Sequence, residues 1–172
     1  AIPLVPDRAA CPDPCFPSPK NPYITAQSNN FQGFSAMARA VRSICVFCGA
    51  RNGANPAHVA AARALGRTIA AEGWRLVYGA GDVGLMGEVA RATQSAGAST
   101  MGVIPIHLMS AERAKQDVTQ LVITQDMHER KKVMFMNSDA IVVLPGGAGT
   151  LDEFFEVLTW AILGLHAKPI YL

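Results

Sequence analysis

The sequence between residues 140 and 162 places a glycine-rich turn between a predicted strand and a predicted helix. Ala140-Ile141-Val142-Val143-Leu144 is an apolar, partly β-branched run, which is typical of a parallel strand buried on both faces. Apolar residues then recur at helical spacing from Leu151 to Ile162. The sequence therefore predicts a strand that runs through a tight turn into a helix, and this unit limits the chain to a few α/β folds.

The turn itself has the composition of an anion-binding loop. Gly146, Gly147 and Gly149 fall within four positions, so backbone N–H groups there can approach a ligand closely. The start of the following helix adds partial positive charge, and phosphate is the expected ligand. No lysine follows the glycines, so the turn is not a Walker A motif. Glu153 is predicted in the first helical turn, close to the part of the ligand that carries the phosphate.

A structural interpretation of the same residues competes with the phosphate site. Thr150-Leu151-Asp152-Glu153 fits a capping box, with Thr150 as the N-cap and Glu153 bonding back to the cap amide. A capping box explains Thr150 and Glu153 but leaves the preceding glycines unexplained. The phosphate site is therefore the favoured prediction.

Strand and helix signals alternate from residue 43 to the end of the chain. Asn55 as an N-cap and Pro56 at the first helical position start the first predicted helix, which ends at Gly73. This alternation predicts a Rossmann-like parallel sheet with right-handed crossovers and helices on both faces. The chain stops inside its last predicted strand, which suggests a truncated C-terminus. The predicted strands are residues 44–47, 74–78, 100–104, 121–123, 140–144 and 168–172, and the later helices are 85–95, 127–137 and the one after the glycine turn.

Residues 1–36 differ from the rest in composition. Seven of the eleven prolines lie within the first 22 residues, without any hydrophobic period. This composition predicts a disordered tail, and residues 37–172 are predicted to form one nucleotide-monophosphate-binding domain.

Charge and hydropathy argue against a nucleic-acid-binding protein and against a membrane protein. Only 16% of the 172 residues are charged and the net charge is +2 without a long basic block, so nucleic-acid binding is not expected. No apolar run has the length of a membrane span and the first residues lack a signal-peptide core. The expected location is the cytoplasm, with no membrane association.

The cysteines raise a redox or zinc hypothesis that the local pattern does not favour. Cys45 and Cys48 have C-x-x-C spacing, but Cys45 lies in a predicted strand, where residues three apart point to opposite faces. Two buried, reduced thiols are the better prediction. A zinc site that adds Cys11 and Cys15 stays formally open.

A second glycine-rich turn follows the second predicted strand. Gly79, Gly81 and Gly84 match the dinucleotide fingerprint, but no acidic residue lies about 20 positions later to bind a ribose. The glycines therefore have two other interpretations: a tight strand-to-helix turn, or a second wall for the nucleotide held by the Pro145 turn. Loops after the first, second and fifth strands meet at one edge of a parallel sheet and are predicted to share one crevice.

Four segments together resemble the Lonely Guy family, and the P-G-G-x-G-T-x-x-E motif with an upstream E-R-K carries most of the likeness. These segments are residues 49–51, 78–87, 127–131 and 145–153. The resemblance implies a Rossmann-like fold and a homodimer or larger homo-oligomer. It also implies hydrolysis of the N-glycosidic bond of cytokinin riboside 5′-monophosphates, or of AMP, to the free base and ribose 5-phosphate, with no cofactor and no metal.

The same resemblance assigns roles to individual residues. Arg130 and Glu153 correspond to the catalytic pair. The implied substrate-binding residues are Gly49, Gly81, Gly84, Glu112, Lys131, Gly146, Gly147, Ala148, Gly149, Thr150 and Thr159. Two other classes remain as alternatives: a non-catalytic nucleotide or molybdenum-cofactor carrier of the same fold, which Arg130 with Glu153 argues against, and an NAD-dependent oxidoreductase, which the missing ribose acid argues against.

Overall fold

The structure, a computed structural model, describes residues 42–109 and 117–172. Six strands form one sheet in which every neighbouring pair is parallel, in the order β4-β3-β2-β1-β5-β6. The predicted tail and Glu112 lie outside the described residues. The strands are β1 (Ser43–Phe47), β2 (Arg75–Tyr78), β3 (Thr100–Pro105), β4 (Gln120–Thr124), β5 (Ala140–Val143) and β6 (Ile170–Tyr171).

Four helices connect these strands, and a short 3-10 helix, Ile106–Leu108, follows β3. The predicted Rossmann-like α/β fold is confirmed, with strand and helix ends within a few residues of the predicted ones. Of the helices in the described part of the chain, none has the length and apolar character that a membrane crossing needs. The helices are α1 (Pro56–Ala71), α2 (Gly84–Ser95), α3 (Met127–Met136) and α4 (Ala148–Ile162).

Local signals set the start of α1. The Asn55 side chain accepts a hydrogen bond from the Ala57 amide at 2.9 Å, and Pro56 occupies the first helical position, as predicted. The helix ends before Gly73, whose φ of 68° lies in the left-handed region that glycine adopts without strain.

Alternating residues of the central strands build two cores, one on each face of the sheet. Ile44 and Val46 of β1 pack with buried residues of α1 and α2, whereas Cys45 and Phe47 pack with residues of α3 and α4. Cys48 belongs to the first core and Cys45 to the second. The two thiols are buried, free and on opposite faces, as predicted, so they do not form a redox pair.

The strand order reverses next to β1, and this reversal positions the site. The chain moves outward from β1 through β2, β3 and β4, and then returns to place β5 on the other side of β1. At such a switch point the loops after the two central strands diverge and leave a crevice at the carboxyl edge of the sheet. The Gly49 amide donates to the Pro145 carbonyl at 3.0 Å, which joins the loops after β1 and β5 at this edge.

Candidate functional site

A cleft of about 500 Å³ opens at the carboxyl edge of the sheet. Its walls come from the loops after β1, β2 and β5 together with the first turns of α3 and α4, so the predicted common crevice is confirmed. The lining residues are Val46, Cys48, Gly49, Ala50, Arg51, Asn52, Gly53, His58, Gly79, Leu85, Met86, Met127, Arg130, Met134, Pro145, Gly146, Gly147, Gly149, Thr150 and Glu153.

The start of α4 differs from the capping-box hypothesis. The helix begins at Ala148 with Gly147 as its N-cap, and no side chain caps it. Thr150 is therefore the third helical residue rather than the N-cap, and Glu153 is the sixth rather than the third, so the predicted capping box is not formed. The expectation that Glu153 lies in the first turn was wrong, because the helix begins among the glycines rather than after them. The amides that every helix start leaves unbonded are available to a ligand at this end of the cleft.

The glycines of this turn fall into two groups by what surrounds them. A side-chain carbon on Gly146 would overlap Thr150, and one on Gly49 would crowd Gly146 and the Pro145 carbonyl, so protein packing explains these two. A side-chain carbon on Gly147 or Gly149 would have nothing within 4 Å, and neither residue has a positive φ. Packing does not require glycine at these two positions. Both line the cleft, where the absent side chains leave room for a ligand against the helix start.

Arg130 reaches the cleft from α3 and is held by the end of β2. Its side chain is 4% exposed, and Nη2 donates to the Gly79 carbonyl oxygen at 2.9 Å. A side-chain carbon on Gly79 would overlap the guanidinium. Gly79 therefore makes room for Arg130 and also supplies the acceptor that orients it. Asp126 caps α3 by accepting from the Glu129 amide at 2.8 Å, which fixes the start of this helix.

Glu153 is the carboxylate of the cleft and is only 9% exposed. Its charge reaches the nearby Cys48 thiol: burial raises the pKa of Cys48 well above its ordinary value, the negative charge of Glu153 raises it further, and Arg130 opposes this rise. The carboxylate and the guanidinium therefore act on one small region of the cleft. Cys48 stays a neutral thiol there and is not a nucleophile at neutral pH.

Lys131, which the resemblance implied as a substrate contact, points elsewhere. Its Nζ lies 3.0 Å from Oδ2 of Asp152 and 3.1 Å from Oε2 of Glu156, both on α4. The side chain is buried and does not line the cleft. The geometry thus gives Lys131 a contact between helices.

Four other residues that the resemblance implied do not line the cleft: Gly81, Gly84, Ala148 and Thr159. A side-chain carbon on Gly84 would overlap the backbone after β1, so this glycine lets α2 approach that loop. The Thr159 hydroxyl donates to the Phe155 carbonyl of its own helix at 2.7 Å. Ala148 is the first residue of α4, and its amide belongs to the helix start that faces the cleft.

The cleft also contains residues that sequence reasoning missed. Asn52 and His58 come from the loop after β1 and the start of α1, and Met86 and Met127 contribute apolar surface. The sequence signal for them was weak, because a polar loop residue or a helical methionine has many ordinary roles. Within residues 42–109 and 117–172, no cluster of three or more His, Cys, Asp or Glu side chains is placed to hold a metal ion.

Comparison with known sequences identifies relatives of this chain. The family model described as possible lysine decarboxylase matches residues 86–172. The cytokinin riboside 5′-monophosphate phosphoribohydrolase of Rhodococcoides fascians is 47% identical over 140 residues, which are 80% of this chain and 71% of that protein. A relative from Oryza sativa subsp. japonica, named as a probable enzyme of the same kind, is 48% identical over 76% of this chain. The chain spans only 58% of the length of the rice relative.

Solved structures share the fold at lower identity. The Moco carrier protein from Chlamydomonas reinhardtii aligns with a TM-score of 0.62 and 25% identity, over 76% of this chain and 75% of that chain. The molybdenum cofactor binding protein from Rippkaea orientalis gives the same TM-score at 26% identity, over 75% of this chain and 74% of its own. These neighbours have the Rossmann-like architecture described above.

Proposed function

The chain belongs to the possible lysine decarboxylase family, in which its curated relatives are named cytokinin riboside 5′-monophosphate phosphoribohydrolases, and we propose that it is a hydrolase of the same kind. In this proposal it cleaves the N-glycosidic bond of an adenine-type nucleoside 5′-monophosphate. Water is consumed, and the products are the free base and ribose 5-phosphate. Arg130 and Glu153 are the catalytic residues.

The observation that carries the proposal is the pair of glycines that packing does not explain. Gly147 and Gly149 line the cleft at the uncapped start of α4, and open space lies where their side chains would be. A phosphate fits this position because unbonded helix amides donate to its oxygens and the helix dipole favours its negative charge. Binding energy gained at the phosphate then holds the ribose and base in place along the cleft.

Glu153 supplies the charge that bond cleavage requires. As the N-glycosidic bond breaks, positive charge develops on the ribose ring, and a fixed carboxylate with little access to water stabilises it strongly. The same carboxylate can orient the attacking water and accept its proton. Glu153 lies four residues after Gly149, about one helical turn, which suits a group that acts on the ribose rather than on the phosphate.

Arg130 acts at the departing base or at the phosphate. The Gly79 carbonyl fixes its guanidinium, so little side-chain freedom is lost when a substrate binds. A guanidinium near the base stabilises the negative charge that develops when the bond electrons leave with it. The base itself would lie against the apolar wall of Leu85, Met86 and Met127, and flexible methionines suit an adenine that carries an apolar substituent.

A carrier of the same fold is the second candidate, because the Moco carrier structures share the architecture. The identity to these carriers is about half of the identity to the phosphoribohydrolases. A carrier that only holds its ligand has no charge to stabilise at the ribose, whereas bond cleavage develops positive charge there that a buried carboxylate can stabilise. Glu153 therefore favours the hydrolase.

The experiment is to incubate the protein with AMP and with isopentenyl-AMP and to separate the products by chromatography. We expect free base and ribose 5-phosphate in equal amounts, and poor turnover of the corresponding nucleosides, which lack the phosphate that the α4 start would bind. Equal kcat/KM values for adenosine and AMP would contradict the phosphate site. Tight binding of monophosphate without base release would favour the carrier.

A further inference from the structure

We propose that Lys131 is a positioning residue that holds α3 against α4, so that Arg130 and Glu153 keep the spacing that the reaction requires. This inference rests on the proposed function, because it assumes that these two residues act together. Lys131 directly follows Arg130 on α3, and its partner Asp152 directly precedes Glu153 on α4. The ion pair therefore joins the two helices immediately beside the residues that line the cleft.

The geometry of Lys131 is that of a buried cross-link. The residue is 7% exposed, and Nζ lies between Oδ2 of Asp152 at 3.0 Å and Oε2 of Glu156 at 3.1 Å. The two acids are four residues apart on α4, so they share one face of that helix. The Asp152 side chain is 61% exposed and the Glu156 side chain 25% exposed, so the buried member of this cluster is the ammonium group. Moving α3 away from α4 would leave that buried charge without its acids, and this cost opposes separation of the helices.

The charge state of Lys131 supports this arrangement. Burial by itself would lower the pKa of the ammonium group, but hydrogen bonds to Asp152 and Glu156 outweigh it and raise the pKa above its ordinary value. A raised pKa favours folding below the ordinary lysine value, and this contribution is lost only as the pH rises through the folded-state pKa. The cross-link is therefore intact throughout the neutral range.

A second contact joins the same two helices. Phe135 of α3 packs edge-to-face on Trp160 of α4, with ring centroids 5.0 Å apart and planes at 79°. Phe135 lies four residues after Lys131, and Trp160 lies four residues after Glu156. The two contacts are thus separated by four residues on each helix, as expected for helices that run side by side in the same direction. The aromatic contact fixes the ends away from the glycine turn, and the ion pair fixes the ends that carry Arg130 and Glu153.

This role differs from the substrate contact that the family resemblance implied. Two carboxylates already hold Nζ, and the side chain does not line the cleft. Consecutive residues of a helix point about 100° apart. Arg130 and Lys131 can therefore face the cleft and α4 respectively, but they do not both face the cleft.

The first test is the variant Lys131→Met, which keeps the length of the side chain and removes its charge, with Lys132→Met as its matched control. Lys132 is the exposed neighbour on the same helix. A positioning role predicts that Lys131→Met lowers kcat for AMP by about tenfold or more, with KM changed less than about threefold. Lys132→Met should match the parent protein. If Lys131→Met raises KM with kcat unchanged, Lys131 contacts the substrate and the proposal is wrong.

The second test separates positioning from a contact with phosphate even if Lys131→Met folds poorly. The variant Lys131→Glu alone should fold less stably and lose activity, because three carboxylates would then face one another. In Lys131→Glu with Asp152→Lys the acid and the amine exchange helices, and the ion pair is restored. We expect at least a fivefold recovery of kcat over the single Lys131→Glu variant. A double variant no more active than this single one would overturn the proposal, since an exchanged pair still joins the helices.

Calorimetric titration of AMP into the same proteins, each also carrying Glu153→Gln so that AMP is bound without being hydrolysed, distinguishes failure of this inference from failure of the proposed function. Absence of base release from the parent protein would contradict the hydrolase but would leave the binding measurement interpretable. A positioning role predicts that AMP binds the parent and Lys131→Met with dissociation constants within about threefold of each other. A tenfold weaker affinity in Lys131→Met would assign its Nζ to the ligand and overturn the inference.

Discussion

The two glycine-rich turns of this chain have similar sequences but different surroundings. Residues 79–84 lead from β2 into α2, and residues 145–149 lead from β5 into α4. Neither helix has a side-chain cap. Both helix starts contribute residues to the cleft. At the start of α2, however, the Leu85 amide donates to the Gly49 carbonyl at 3.0 Å, whereas Gly147 and Gly149 at the start of α4 leave room for a ligand.

The space around the glycines also differs between the two turns. In the first turn, side-chain carbons on Gly79 and Gly84 would overlap Arg130 and the backbone after β1 respectively. In the second turn, Gly147 and Gly149 have open space at that position. The first turn is glycine-rich because other parts of the protein pack against it. The second has glycine at two positions where packing does not require it and where a ligand has room to approach the helix start.

The strongest test of the second turn is Glu153→Gln, since α4 carries this residue into the cleft. Gln keeps the size of Glu153 and its capacity for hydrogen bonding, so the variant should melt within a few degrees of the parent. If the carboxylate stabilises the charged ribose, turnover should fall on the order of 100-fold or more while monophosphate still binds. The measurement is base release alongside thermal melting, with Glu72→Gln, an exposed acid at the end of α1, as the control. Substantial turnover in Glu153→Gln would remove the main argument for hydrolysis.

Gly84→Ala tests the first turn through stability. Gly84 has a φ of 62°, and a side-chain carbon there would overlap the backbone of Ala50 and Arg51. Left-handed geometry and overpacking each cost about 1–3 kcal/mol, so we expect the free energy of unfolding to fall by roughly 2–3 kcal/mol or more. Urea denaturation checks this value. A stability equal to that of the parent would show that the turn tolerates a side chain and would weaken the comparison.

For Gly149→Ala in the second turn we expect the opposite effect, a gain in stability. The position is in the first turn of α4, has open space around it and has a negative φ, so alanine should stabilise the helix by about 0.5–1 kcal/mol. The added methyl group would occupy the space proposed for phosphate, and we expect roughly tenfold weaker binding of AMP, in line with the loss of a helix-terminus interaction. Melting measures the first effect, and calorimetric titration of AMP in the inactive Glu153→Gln background measures the second. A stabilised variant that binds AMP as well as the parent would place the phosphate elsewhere.

The smallest effect is expected from Asn55→Ala, which removes the side chain that caps the start of α1. Loss of the hydrogen bond to the Ala57 amide should cost about 1 kcal/mol of stability and leave AMP affinity unchanged. This variant gives the cost of an ordinary cap in this protein, against which Gly149→Ala is judged. A change in AMP affinity in Asn55→Ala would mean that α1 contributes to the site more directly than the contacts of Asn55 indicate.

The sequence predicted the fold well because its signals are local. Asn55 and Pro56 mark the start of α1 through contacts within three residues. Each strand is marked by its own short apolar run, and the structure contains all of these elements. The start of α4 was mispredicted because glycine has poor helix propensity, yet Gly149 lies inside the helix. Nothing in the sequence of this turn shows that the helix begins three residues before Leu151.

Other parts of the site could not be predicted, because they depend on where each side chain points in the folded protein. Arg130 and Lys131 are neighbours in one motif, but the helix turns one toward the cleft and the other toward α4. The spacing of residues along the chain also gave no signal that Gly79 would supply the acceptor for Arg130, since 51 residues separate them. Such contacts follow from the strand order.

That strand order also determines when the cleft can exist during folding. Strands β1 to β4 pair in the order of the chain, whereas β1 meets β5 only after a long excursion: the Ser43 amide donates to Asp139, 96 residues away. Closing a long loop costs entropy before its contacts form, so pairing over such distances is slow. We therefore expect refolding chains to gain most of their sheet before they gain any affinity for a nucleotide. On the ribosome, where β1 emerges long before β5, the first half of the cleft must wait for its second wall to be synthesised.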